Sequence, residues 1–175
     1  MDPGTTILGY GIIEICNTDL KLISMGVVKL EKIDNHYQKL QRIYERVVNL
    51  IENFEPQELA IEAPFYGKNV QSMLKLGRAQ GIAIAAAISK NLPVYEYAPR
   101  KVKQSITGNG NASKEQVASM LRYLIHYQED PKFLDATDGL AIAICHHLQG
   151  SRPIKSDKSY KGWNDFLKQN PEKIV

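Results

Sequence analysis

Four carboxylates stand against apolar sequence, where an acid is costly to place. Asp2 lies in Met-Asp-Pro-Gly-Thr, Glu62 closes the run Leu-Ala-Ile-Glu before Ala-Pro-Phe, and Asp135 and Asp138 open Asp-Ala-Thr-Asp-Gly-Leu-Ala-Ile-Ala. Burying like charges together is unfavourable unless cations neutralise them. A fold that gathers these four must therefore suit hard ions such as Mg²⁺ or Mn²⁺, which take carboxylate oxygens as ligands. This constraint points to a metal-dependent enzyme acting on phosphates.

The pattern around the acids predicts how they are carried. Residues 7–16 and 22–30 are β-branched and apolar and are joined across Asn17-Thr18-Asp19, which predicts an antiparallel hairpin. Leu40, Ile43, Tyr44, Val47, Leu50, Ile51 and Phe54 recur at helical spacing over 36–54. Residues 58–62 read as a short strand stopped by Pro64, and residues 69–89 as a helix whose small residues allow close packing. Residues 93–97 form another strand, and Pro99 opens a basic helix carrying Arg100, Lys101 and Lys103 that ends at the Gly108–Asn111 turn. Ser113 with Gln116 is a capping box for the next helix. Asp130 and Pro131 read as the start of a last helix reaching about Leu148. Early strands followed by βα alternation imply an α/β fold: a mixed sheet with helices on both faces.

Asp135 and Asp138 are three apart on a helix and share the face that continues through Ile142 and Cys145. Glu62 ends a strand, where α/β sheets form their sites, and Asp2 precedes a Pro-Gly turn. Four acids at one end of a sheet fit a two-metal phosphodiesterase. Each acid alone has an ordinary explanation: a turn Asp, an exposed strand end, or charges favouring a helix start.

A chain of 175 residues, 43% of them hydrophobic, can bury one substantial core. No apolar run approaches the roughly 20 residues of a membrane span. Cys16 and Cys145 are isolated, which suggests a reducing, cytoplasmic setting. Residues 151–175 carry six Lys or Arg against three acids, leaving residues 1–150 balanced at 16 of each sign. The expected organisation is a single domain over 1–150 and a basic, polar tail over 151–175. Metal at the acids would leave the domain net positive, compatible with a polyanion.

Asp2-Pro-Gly-Thr, Gly9-Tyr-Gly, Ile61-Glu-Ala-Pro-Phe65, Leu74-Lys-Leu-Gly-Arg-Ala-Gln-Gly81, Lys101-Val-Lys-Gln104 and Asp135-Ala-Thr-Asp-Gly-Leu-Ala-Ile-Ala143 together resemble the RuvC family of bacterial Holliday junction resolvases, in the family's order over most of 1–148. The resemblance implies a ribonuclease H-like fold, a homodimer, and Mg²⁺-dependent (or Mn²⁺-dependent) paired nicking of four-way DNA junctions in recombination and repair, with two ions per site. It implies that Asp2, Glu62, Asp135 and Asp138 are the catalytic metal ligands. Phe65 is similar to an aromatic beside the junction, and Lys103 and Lys114 to basic residues meeting the scissile strand. A branch-migration motor, RuvA-RuvB, is the implied partner.

Lys114 falls in the first turn of its capped helix, a sound phosphate position. Arg100, Lys101 and Lys103 span a helix turn, so only one or two of them can face DNA. The adjacent His146 and His147 are read as late-turn residues favouring the helix dipole, and Tyr95 and Tyr97 as packing groups. In the family a strand of small apolar residues precedes the Asp-Pro-Gly, whereas here Met1 directly precedes Asp2. The expectation is a truncated first strand with Asp2 on a frayed end, and the alternative function is a catalytically impaired module that only binds junction DNA.

Overall fold

The computed structural model describes residues 1–16, 19–64, 69–125, 127 and 134–150. Phe65, His126, the expected helix start at Asp130 and Pro131, and the tail over 151–175 lie outside the described residues.

Strands β1 (Ile7–Cys16) and β2 (Asp19–Lys29) form the expected antiparallel hairpin, with Ile7 opposite Lys29 and Cys16 opposite Asp19. The register shifts between Ile12 and Ile13, so the far half of the ribbon is offset by a bulge. Helix α1 (His36–Phe54) begins where the Asn35 side chain accepts from the Tyr37 and Gln38 amides and ends at a left-handed Glu55. Strands β3 (Leu59–Glu62) and β4 (Val94–Tyr97) pair in parallel through the crossover helix α2 (Val70–Ser89). Helix α3 (Pro99–Thr107) starts on proline and stops at Gly108, whose φ of 75° is the left-handed cap that glycine adopts without penalty. The Ser113–Gln116 capping box opens α4 (Lys114–Leu124) as expected, and α5 (Leu134–Gly150) is the last described element.

The two ribbons are stitched by Met1 and Asp2. Asp2 exchanges both main-chain hydrogen bonds with Gly9, at 2.8 and 2.9 Å. On the other side the Met1 amine donates to the Ala60 carbonyl (2.7 Å) and the Glu62 amide donates to the Met1 carbonyl (3.0 Å). Bonds flanking Ile61 in this way are those of a parallel ladder. The expectation of a frayed Asp2 is thus wrong: its own main-chain bonds to Gly9 hold it, and Met1 beside it is fastened to β3.

Alternation along the strands divides the interior. Leu8, Tyr10, Val28, Leu30 and Ile61 pack against Ile43, Val47 and Leu50 of α1 and Ala79, Ala83 and Ala86 of α2. On the opposite face Ala60 and Tyr97 meet Val102, Leu121, Leu140 and Ile144 from α3, α4 and α5. Helices therefore cover both faces of a mixed sheet, as the sequence pattern predicts.

Helix α5 lies against β1 because glycine removes the side chains between them. A Cβ on Gly11 would sit 2.6 Å from the Leu140 Cα, and one on Gly139 would sit 2.6 Å from the Tyr10 Cα. A Cβ on Gly9 would collide with the Asp135 carbonyl.

Candidate active site

Gly9 explains how acids 133 positions apart in the chain meet. Its main chain pairs with Asp2, and its bare Cα admits the start of α5, which carries Asp135 and Asp138. Glu62 joins them at the carboxyl end of β3, one hydrogen bond from Met1. Gln80, buried on α2, donates to the Glu62 carbonyl at 3.1 Å and holds that strand end from behind. Its role was invisible in the sequence, although it lies in the segment Arg78-Ala-Gln-Gly81 that carries part of the family resemblance.

Lys114, at the first turn of α4, reaches into the group. Its Nζ is 2.5 Å from Asp138 Oδ2 and 4.0 Å from Asp135 Oδ1. The Asp135 side chain is 43% exposed and that of Asp138 only 19%, so the site grades from solvent towards the sheet end. The expected shared face of the two aspartates is observed, and Ile142 and Cys145 continue it into the core.

The charges report that the acids sense one another. Glu62 is pushed up from 4.5 to about 7, chiefly by burial and then by the negative charges of Asp2 and Asp138. Asp2 is likewise raised by burial and by Asp138, with the Met1 ammonium and Lys114 opposing. Burial pulls the Lys114 ammonium down, but its hydrogen bond to Asp138 and the charges of Asp138, Asp135 and Asp2 outweigh this and leave it raised. Buried in the same region, the Met1 ammonium falls from 8.0 to about 5, against the pull of Asp2 and Glu62. One lysine cannot balance four carboxylates.

That donor chemistry suits a hard dication: all-oxygen ligands with uncompensated negative charge. Among the described residues, however, no three acid, histidine or cysteine side chains are drawn together into a ready-made metal cluster. The acids are coupled through space, with Lys114 among them, and ligating an ion requires that they close up as the lysine yields.

The other expected contacts divide. Among the described residues no ion pair joins Arg100, Lys101 or Lys103 to the acids. Arg100 and Lys101 are exposed and Lys103 is half-buried, and the Arg100 stem lies over Gly110. His146 is not a solvated dipole partner: its Nδ1 is 2.6 Å from the Tyr97 hydroxyl and its Nε2 is 2.6 Å from Glu58. Tyr95 stacks on the same imidazole, with centroids 4.6 Å apart. A cavity of about 500 Å³ lies between β1, the start of β3 and α1. None of the four acids lines it.

An acid group at the carboxyl end of a mixed sheet covered by helices on both faces places the molecule among the ribonuclease H-like proteins. A family model described as "Crossover junction endodeoxyribonuclease RuvC" matches residues 1–146. The chain is 58% identical to the RuvC of Bacteroides fragilis, covering 99% of this chain and 93% of that protein, and 59% identical to that of Cytophaga hutchinsonii, covering 99% and 86%. Among solved structures it resembles the Thermus thermophilus RuvC in complex with a Holliday junction substrate, with a TM-score of 0.78 and 34% identity over 85% of this chain and 91% of that one. The chain belongs to the RuvC family.

Proposed function

We propose that this chain is a Holliday junction resolvase, a metal-dependent endonuclease that cuts four-way DNA junctions by paired, symmetric nicks during recombination and repair. The observation that carries this reading is the coupling of Asp2, Glu62 and Asp138 at one sheet end, with Lys114 bridging Asp138 and Asp135. Its relatives bear the name of that activity, and one of them is solved on that substrate.

Asp2, Glu62, Asp135 and Asp138 would hold two Mg²⁺ or Mn²⁺ ions. The chemistry supplied by the bound ions is Lewis-acid stabilisation of the attacking and leaving oxygens of an in-line displacement. The chain's own groups do the rest. Glu62 and Asp138 anchor the site from strand and helix. Asp135, more open to solvent, aligns the attacking water. Lys114 is placed at a helix start to meet the scissile phosphate once it leaves Asp138. Lys103, with Arg100 or Lys101 beside it, contacts flanking phosphates that position without reading sequence. Phe65 stacks on an unpaired base beside the cut.

A near-symmetric substrate calls for an isologous dimer with two matched sites. The α2 face bearing Val70, Leu74 and Ile88, which are 67%, 54% and 62% exposed, is the proposed contact. Sedimentation as a stable monomer at working concentration would remove it. A RuvA-RuvB motor as partner and a cytoplasmic setting complete the reading.

The test is a nicking assay on four-way DNA with Mg²⁺. The parent chain cuts both opposed strands, and Asp138→Asn loses cutting while keeping junction binding. An Asp138→Asn protein that still cuts would defeat the assignment.

A further inference from the structure

We propose that His146 is a positioning residue, whose imidazole clamps α5 to β3 and β4 and thereby keeps Asp138 in register with Glu62. The inference rests on the nuclease reading of those two acids. His146 lies eight residues after Asp138 on one helix, about 12 Å along the axis. Its two partners stand on the strands that frame the site. Glu58 directly precedes β3, four residues before Glu62, and Tyr97 lies opposite Glu62 in the parallel ladder.

The partners define the tautomer. A carboxylate only accepts, so His146 Nε2–H donates to Glu58, and in the neutral imidazole Nδ1 then accepts from the Tyr97 hydroxyl. Burial pushes the Tyr97 phenol up, so its proton stays available. Tyr95 closes one ring face at 4.6 Å, and Tyr97 meets the ring edge-on at 5.6 Å. The imidazole is thus fixed in position, tilt and rotation. A sliding α5 would have to break both hydrogen bonds. Gly9 and Gly11 on β1 and Gly139 on α5 bring the two backbones into close contact, and the His146 pair of hydrogen bonds adds a directional polar restraint on the helix to that packing.

The test compares His146→Phe, which keeps a ring against Tyr95, with His146→Gln, which restores a donor towards Glu58. Three readings are taken on each: thermal unfolding, Mn²⁺ affinity by calorimetry without DNA, and single-turnover nicking with junction Kd. The clamp predicts that His146→Phe weakens Mn²⁺ about tenfold, because Asp138 and Glu62 are no longer held in ligating register. It also predicts a nicking rate about 10- to 100-fold lower, the cost of a small misplacement, with junction Kd unchanged. His146→Gln recovers part of both. A folded His146→Phe protein with parental Mn²⁺ affinity and rate would overturn the proposal. So would equal damage in both variants that tracks lost thermal stability alone. Because Mn²⁺ affinity is read without DNA, a parent that fails to nick junctions counts only against the nuclease reading. The ratio of variant to parent affinity still decides for or against the clamp.

Discussion

Gly139 directly follows Asp138, and replacing it by alanine tests whether close backbone contact is what delivers that acid to the site. An added Cβ would lie 2.6 Å from the Tyr10 Cα, 2.7 Å from the Tyr10 nitrogen and 2.8 Å from the Gly9 carbonyl carbon. Carbon atoms rest about 3.5–4.0 Å apart at their optimum, so α5 has to lift from β1 by roughly an ångström. Every clashing atom is backbone, which cannot rotate away, and this puts the strain near the upper end of the overpacking range, about 3 kcal/mol. Alanine's better helix propensity returns about 1 kcal/mol, for a net loss of about 2 kcal/mol. In a chain of this length that lowers Tm by about 4–8 °C. The functional loss is larger than the stability loss, because a shift of this size at a catalytic group can cost about 100-fold. Thermal unfolding and single-turnover nicking, run well below the variant's Tm, measure the two separately. Unfolding at the parent's temperature together with an unimpaired nicking rate would refute the contact and the delivery route built on it.

Three further outcomes follow from the same geometry. With Glu62 raised from 4.5 to about 7, the native metal-free protein keeps a proton that the unfolded chain has already released. The Glu62 contribution to stability therefore falls as pH rises through that window, while the Met1 ammonium, lowered from 8.0 to about 5, contributes in the opposite sense. Because Mg²⁺ needs the Glu62 proton gone, it should raise Tm more near pH 8 than near pH 5.5; equal shifts at both would contradict the raised carboxyl. Lys114→Met removes the cation 2.5 Å from Asp138. It should lower metal-free Tm at alkaline but not acid pH and reduce the salt slope of junction binding by about one ion, measured by titration at several ionic strengths. Gln80→Ala removes the donor to the Glu62 carbonyl and should cost about 1–3 kcal/mol in urea unfolding, with nicking slowed and junction affinity kept; parental stability would show that bond to be idle.

What could be read from the chain was whatever repeats or pairs locally. Helix α1 falls on the expected 36–54, because its apolar residues keep helical spacing. The Ser113–Gln116 box is visible because both partners lie within one turn. The four acids stood out through their apolar surroundings. What stayed hidden joins residues far apart. His146 meets Tyr97 across 49 positions and Glu58 across 88, and no spacing rule connects them. Gly9 and Gly139 looked like ordinary motif glycines until the strand and helix were seen to touch. Asp2, expected to fray, is held by main-chain bonds, which leave no trace in side-chain pattern.

The arrangement also shows why packing, rather than charge, assembles this site. The carboxylates repel, and the raised Asp2 and Glu62 record first their burial and then that repulsion. Nothing in their own chemistry draws them together without a cation. What forces them close is the burial of Leu140, Ile142 and Ile144 on α5 and of Ile61 on β3, each worth about 1.5–3 kcal/mol once removed from water. The acids sit at the ends of the elements those residues anchor, so the apolar core holds them where electrostatics alone would spread them. A site loaded in this way has a standing affinity for divalent charge. Lys114 tempers that affinity in the metal-free protein, and an approaching phosphate backbone offers the lysine another partner.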